Sequence, residues 1–349
     1  MLGVPPSRDV VADLRRIAFL LERAHEPTFR VRAFRSAAAR AESLTPAELS
    51  ERAAAGTLRE LPGIGDVTAR CITESLRGEE PVYLRRLDAT AGTPVAEAGA
   101  ELRAALRGDC HTHSDWSDGG SPIREMAETA RDLGHEYLVL TDHSPRLTVA
   151  RGLSAERLEQ QLDVVASLND ELAPFRILTG IEVDILDDGR LDQTDALLSR
   201  LDLVVASVHS GLRMPSAEMT PRMVAAIANP HTDILGHCTG RLIAGGRGKR
   251  PPSEFDAEIV FAACARFGVA VEVNSRPERL DPPKRLLRLA VEAECLVSID
   301  TDAHAPGQLD WQPYGCERAA ACGVPAETVV NTWAAGDLLA WAADHEARP

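Results

Sequence analysis

Residues 107–119 read RGDCHTHSDWSDG, a short strand-like run that opens into His111, His113, Asp115 and Asp118. The same plan returns downstream. EYLVLTDHS (136–144), RILTGIEVD (176–184), DLVVASVHS (202–210), DILGHCTGR (233–241), VAVEVNSRPER (269–279) and CLVSIDTDAH (295–304) each join an apolar run to a polar end. Runs such as YLVL, LVVASV and VAVEV are nearly continuous in apolar residues, as parallel strands buried on both faces are. The stretches between them, roughly 20–30 residues each, suit crossover helices. Strands over 107–111, 136–141, 176–183, 202–208, 233–237, 269–274 and 295–300 therefore predict an α/β barrel, closed or nearly so.

Six of the seven runs end in residues able to ligate a metal. The strand ends offer His111, His113, Asp115 and Asp118, then Asp142 with His143, then Glu182, His209 and His237, and finally Asp302 with His304. Side chains at the C-terminal strand ends of such barrels converge on one mouth, where the chemistry sits. Six of the ten histidines occupy these positions, a placement that chance does not explain. Imidazole and carboxylate donors without thiolates suit Zn, Mn or Fe in a reactive centre rather than a structural zinc finger. The sixth run offers Asn274, Arg276 and Arg279 instead. Asp142 and Asp184 are expected to orient histidines through their second ring nitrogen. His135 and His231 precede strands and are expected to be structural, and Cys110 to be a small buried hydrophobe.

With 44% hydrophobic and 4% aromatic residues, the 349-residue chain has enough apolar side chains to exclude global disorder. No stretch approaches the ~18 apolar residues of a membrane span. The opening MLGVPPSRDVVADLRR lacks the layout of a secretion signal. Seven cysteines without a CxxC make neither a disulfide framework nor a thiolate zinc site, so a reducing, cytoplasmic setting is expected. The net charge of −15 argues at first against a nucleic-acid partner. Divided at residue 108, it becomes 16 arginines against 15 acidic residues (+1), then 22 basic against 38 acidic residues (−16). A locally basic head precedes an acidic body.

The head reads as helical. Val11–Ala24 and Phe29–Ser43 carry apolar residues at helical spacing, and Thr45-Pro46 with Glu48 opens a third helix that Gly56 ends. In LRELPGIGDVTARC, Gly63 and Gly65 allow a tight hairpin. Its backbone amides and the helix start at Asp66, Val67 and Thr68 can hold a phosphate. Arg32 and Arg35 are the further DNA-contact candidates. The expected domains are a helical head over 1–88, an Ala/Gly/Pro-rich linker over 89–106 with a short helical end, and the barrel over 107–349.

Taken in order, HTHSDWSDG, TDHS, GIEVD, SVHS, GHCTGR and SIDTDAH resemble the PHP (polymerase and histidinol phosphatase) family of metal-dependent phosphoesterases. FRVRAFRSAAARAESL and LRELPGIGDVTARCITESLRG resemble the helix-hairpin-helix domain of bacterial family X DNA polymerases. The resemblance implies a distorted seven-stranded, TIM-like barrel with three divalent metal ions. One ion would take His111, His113, Glu182 and Asp302, and a second Glu182, His209 and His237. The third would take Asp118, His143 and His304. A hydroxide between the two ions bridged by Glu182 would attack phosphorus, with Arg276 or Arg279 on the other oxygens.

Two departures restrict the reading. The polymerase core that family X relatives carry between head and barrel is missing, so polymerase activity is not expected and a separate polymerase becomes a candidate partner. The chain's two lysines are Lys249 and Lys284, so the head has no amine for a Schiff-base lyase. Two enzyme classes stay open: a DNA-end phosphodiesterase of the 3′-5′ exonuclease type in repair, and a small-molecule phosphomonoesterase of the histidinol-phosphatase type. A metal-stabilised scaffold without activity is a third, disfavoured by the complete ligand set.

Overall fold

The computed structural model describes residues 8–90, 97–246 and 248–344. Two compact units divide the chain, Met1–Thr93 and Pro94–Pro349. The first holds α1 (Val10–Arg23), α2 (Thr28–Glu42), α3 (Pro46–Ala55), α4 (Asp66–Leu76) and α5 (Val82–Thr90). The helical spacing of α1 is what it buries, with Leu14, Ile17, Ala18 and Leu21 inside against Phe34 and Ile72. Thr45 and Glu48 form a reciprocal capping box on α3, Pro46 takes its first position, and Gly56 closes it at φ 70°. Gly63 turns the chain toward α4 at φ 86°. A Cβ at Gly63 would stand 3.2 Å from that of Ser36.

Seven parallel strands follow: β1 (Gly108–Thr112), β2 (Tyr137–Leu140), β3 (Arg176–Asp184), β4 (Leu203–Ser207), β5 (Ile234–Leu235), β6 (Ala270–Asn274) and β7 (Val297–Asp300). They are hydrogen-bonded in chain order. The long β3 pairs with β2 along its first half and with β4 along its second. Between β7 and β1 the described residues give one bridge, Thr112 with Ala303. His113 N donates to Ala303 O at 2.8 Å, and Cys110 N donates to the Asp300 carboxylate at 2.8 Å. The barrel is thus nearly closed, and the expected α/β class holds. Strand β5 is shorter than its apolar run. Gly236 lies against Ser207, where a Cβ would come within 2.3 Å of the hydroxyl, and the chain then turns so that Gly240 N reaches His237 O at 2.8 Å.

The remaining helices, α6 (Ala100–Ala105), α7 (Ile123–Asp132), α8 (Ala155–Leu172), α9 (Asp195–Leu198), α10 (Ser216–Ile227), α11 (Ala257–Phe267), α12 (Lys284–Glu292), α13 (Gln312–Cys322) and α14 (Ala335–Ala343), belong to the same unit. Strand residues Ile181, Val183, Val204 and Leu235 pack with Met223 of α10 and Phe261 of α11. Full burial of each such side chain stabilises by about 1.5–3 kcal/mol. Of the expected linker, 91–96 lie outside the described residues. Its helical end is part of the barrel's core, because Leu102 and Leu106, four apart on one face, pack with Val273, Ile299 and Cys316. No helix among the described residues is long and apolar enough to cross a membrane.

Candidate metal centre

Because every strand runs the same way, their C-terminal ends deliver side chains to one mouth. His111 leaves β1 within the strand and His113 just past it, and Asp118 sits in the turn beyond. His143 follows β2, Glu182 lies inside β3, His209 follows β4, His237 follows β5, and Asp302 with His304 follow β7. Glu182 is the hub. Its Oε1 lies 2.9 Å from His237 Nε2 and 3.3 Å from His209 Nε2. Its Oε2 lies 2.9 Å from His143 Nδ1, 3.3 Å from His111 Nε2 and 3.6 Å from His113 Nε2. Asp302 Oδ1 is 3.4 Å from His113 Nε2, and Asp118 Oδ1 is 3.2 Å from His304 Nε2 and 3.5 Å from His143 Nε2.

All nine donors that the resemblance implies are therefore gathered in one place. Their donor atoms form four overlapping sets: His113/Asp118/His143/His304, His111/His113/Asp302, His111/Glu182/His237 and His143/Glu182/His209. The expected partition put His209 and His237 together on one ion. The fold brings both to Glu182 Oε1 but sets each beside a different third histidine. His111 Nε2, both nitrogens of His113, His143 Nδ1 and both oxygens of Glu182 are buried without a hydrogen-bond partner. Leaving such atoms unsatisfied costs about 1–3 kcal/mol each, and a cation at the centre of converging lone pairs offsets that cost. The residues fit divalent metal ions.

The electrostatics divide this donor set: against the opposition of burial, Glu182 and Glu272 raise His111 well above the usual imidazole range. Burial opposes ionisation of Glu182, yet His111, His209 and His143 hold its carboxyl well below the usual range. Against the same opposition from burial, Arg276 and His113 lower Asp302, and His304 lowers Asp118. Burial pushes His113 well down and His237 down to about 4, leaving neutral imidazoles with lone pairs to donate. His209 moves the other way: burial opposes its charge, but Glu182 and Asp184 outweigh it and raise the ring to about 9. Asp302 also sits at φ 52°, in the left-handed region. Such strain costs about 1–3 kcal/mol and clusters at functional sites.

Supporting contacts depart from the expectation in two places. Asp184 does brace His209, through Nδ1 at 2.9 Å. Among the described residues Asp142 hydrogen-bonds no histidine: it accepts from Ser114 N at 2.8 Å, Ser117 Oγ at 2.5 Å and Gln161 Nε2 at 2.7 Å, tying down the loop that carries Asp118. The sixth strand contributes more than its end suggests. Glu272, fully buried, lies 2.6 Å from His111 Nδ1 through one oxygen, and its other oxygen accepts from His237 N. Alternation along VAVEV was the available signal, since a lone carboxylate inside an otherwise apolar strand needs a partner. Both arginines of the sixth run reach the donor set through Asp302. Arg279 Nε lies 3.2 Å from Asp302 Oδ2. Arg276 Nη1 lies 3.1 Å from Asp302 O and 3.2 Å from His304 Nδ1, and its Nε 2.8 Å from Glu278. Asp118, His143, Glu182, Arg250, Arg276 and Arg279 share a cavity of about 220 Å³.

In the head, Gly65 caps α4 and its amide donates to Thr68 Oγ1 at 2.9 Å. Val67 is exposed, Asp66 pairs with Arg59 at 2.6 Å, and Arg32 is exposed. Arg35 does not serve as a free cation. It forms a largely buried pair with Glu22 at 2.7 Å, which removes it from the DNA-contact candidates. Cys110 is fully buried, and so is His135, held neutral with its pKa near 3 chiefly by burial.

Residues 109–275 match the family model of the PHP domain, and residues 5–81 match a helix-hairpin-helix domain. This chain is a PHP-domain protein. A DNA polymerase/3′-5′ exonuclease PolX of Bacillus subtilis is 41% identical over 236 residues, which make up 68% of this chain. The chain spans about two fifths of that relative, 41% of its length. A probable phosphatase of Thermoanaerobacter sp. is 28% identical over 64% of this chain and 89% of its own length. A solved histidinol phosphate phosphatase of Lactococcus lactis, complexed with Zn, L-histidinol and phosphate, aligns at TM-score 0.44 and 17% identity. That alignment covers 62% of this chain and 92% of the other.

Proposed function

We propose that this PHP-domain protein is a metal-dependent phosphodiesterase that trims DNA ends, a 3′-5′ exonuclease-type activity of DNA repair. One observation carries the reading: eight imidazole and carboxylate donors gather with Glu182 in one site, with Arg276 and Arg279 lining the same cavity. The helix-hairpin-helix head and the 41% identity to a polymerase/exonuclease support DNA as the substrate. Divalent ions (Zn, Mn or Fe, three at full loading) would supply an acidified water and neutralise phosphate charge. His111, His113, Asp118, His143, His209, His237, Asp302 and His304 would hold them, with Glu182 shared between two. Arg276 and Arg279 brace Asp302 from opposite oxygens and keep positive charge beside the phosphate.

The test incubates metal-loaded protein with 3′-labelled single-stranded and gapped DNA and, in parallel, with histidinol phosphate. Mononucleotide release that His111→Ala abolishes is the expected result. The probable phosphatase relative, 89% of whose length aligns, favours a phosphomonoesterase as the second reading. Turnover of histidinol phosphate with intact DNA would establish that reading and refute the first. Absence of stoichiometric Zn, Mn or Fe by elemental analysis would refute both.

A further inference from the structure

Between Gly240 and Pro252 the chain carries Arg241, Arg247, Lys249 and Arg250 and no acidic residue, although the body downstream of residue 108 has a net charge of −16. This stretch leaves β5 just after His237, at the mouth of the barrel. Leu242 and Arg250 pair antiparallel, each amide donating to the other's carbonyl at 2.9 Å, so the segment is a hairpin. Gly245 at φ 96° and Gly248 at φ 78° take backbone conformations that side chains disfavour. The hairpin is also anchored. Ile243 N donates to Glu278 O at 2.7 Å, and a Cβ on Gly245 would lie 2.2 Å from Glu278 Oε1. Glu278 in turn holds Arg276.

Within the hairpin the cations have different surroundings. Arg241 is turned inward, its Nε donating to Arg279 O at 3.0 Å, and burial lowers its pKa. Arg250 lines the cavity, with Nε donating to Gly240 O at 2.6 Å. Lys249 is exposed and makes no hydrogen bond or ion pair among the described residues. The hairpin thus leads from solvent to the cavity wall with basic side chains and no acidic one of its own, on a body whose net charge repels a polyanion.

We propose that the Leu242–Arg250 hairpin is a nucleic-acid contact in which Lys249 neutralises a backbone phosphate flanking the one held in the cavity. The contact rests on DNA being the substrate and extends that reading to the position of the strand. Each phosphate neutralised on single-stranded DNA contributes about 0.7 to the slope of log affinity against log salt.

The test measures the affinity of full-length protein for a fluorescein-labelled oligonucleotide by anisotropy across a salt series, alongside oligonucleotide hydrolysis. The proteins compared are the wild type, Lys249→Glu and Lys249→Arg. Hydrolysis of bis-p-nitrophenyl phosphate, which lacks flanking phosphates, serves as the control. Lys249→Glu is expected to flatten the slope by about 0.7 and to raise KM for the oligonucleotide severalfold, with the small diester unaffected. Lys249→Arg restores the slope. An unchanged slope in Lys249→Glu, with the wild type still degrading DNA, overturns the hairpin contact and leaves the proposed function standing. Conversely, binding with a Lys249-dependent slope but no hydrolysis overturns the function and keeps the contact. Absence of both binding and hydrolysis overturns both.

Discussion

Replacing Glu272 by glutamine keeps the length of the side chain and removes its charge. In the native barrel its carboxylate lies 2.6 Å from His111 Nδ1, which holds that nitrogen as a donor and leaves Nε2 to face Glu182 Oε2 at 3.3 Å. The second oxygen takes the amide of His237, so one buried group on β6 positions ligands leaving β1 and β5. A hydrogen bond to a charged group contributes about 1.5–3 kcal/mol and a neutral one about 0.5–1.5. Losing the charge opposite His111 accounts for about 1–1.5 kcal/mol, close to tenfold in metal affinity, and because a glutamine amide has one acceptor oxygen for two donors, His237 N is left facing an NH2 as well. Tenfold is the lower end of the 10–100-fold effect typical of groups that orient metal ligands. Glu272→Leu leaves both His111 Nδ1 and His237 N without an acceptor and should weaken binding further. Chelator competition at constant pH, with elemental analysis of the loaded protein, reads the affinity directly. A melting curve taken in chelator separates folding damage from ligand orientation. Unchanged metal affinity in both variants would refute the assigned role.

Burial pushes the thiols of Cys71, Cys295 and Cys316 up to about 12, and all seven cysteines are buried. Iodoacetamide at pH 8 should leave the native protein unlabelled and modify all seven sites in urea, as intact mass will report. The folded pKa of His135, near 3 against about 6.5 when unfolded, means that its contribution is complete above pH 6.5 and is lost as pH falls toward 3. His135→Gln should then narrow the gap between urea midpoints at pH 7 and pH 5, by about 2 kcal/mol; an unaltered gap refutes this. Gly63→Ala places a Cβ at φ 86° beside Ser36 and should destabilise the head by ~1–2 kcal/mol, measured by urea unfolding of the full chain. Wild-type stability in that variant would show that the turn relaxes.

The barrel was legible because buried parallel strands leave a nearly continuous apolar signature, and each of these ends in a chemically conspicuous residue. Length and register of the strands were less so: the short β5 depends on Gly236 meeting Ser207, a neighbour 29 residues away in sequence. That imidazoles and carboxylates at six parallel strand ends converge on one mouth could be read from residue type and position, and the resemblance to the PHP family singled out nine of them. How they share out could not be read in this way. His209 and His237 reach the same oxygen of Glu182 yet stand beside different third histidines, a matter of side-chain direction at a common centre rather than of spacing along the chain.

Charge followed the same division. Counting residues separated a near-neutral head from an acidic body, because composition is additive along the chain. Which cations remain available is decided by three-dimensional pairing: Arg35 is spent on Glu22, Arg276 and Arg279 fold back on Asp302, and Lys249 stays exposed on its hairpin. Sequence alone determined the fold class and the donor types, which depend on local pattern and intrinsic chemistry. Only the tertiary structure decided that Glu272 lies under His111, that Asp142 serves a loop instead of a histidine, and that the barrel claims Leu102 and Leu106. Each of these rests on a contact between residues far apart in the chain, and such contacts exist only once the strands have closed around them.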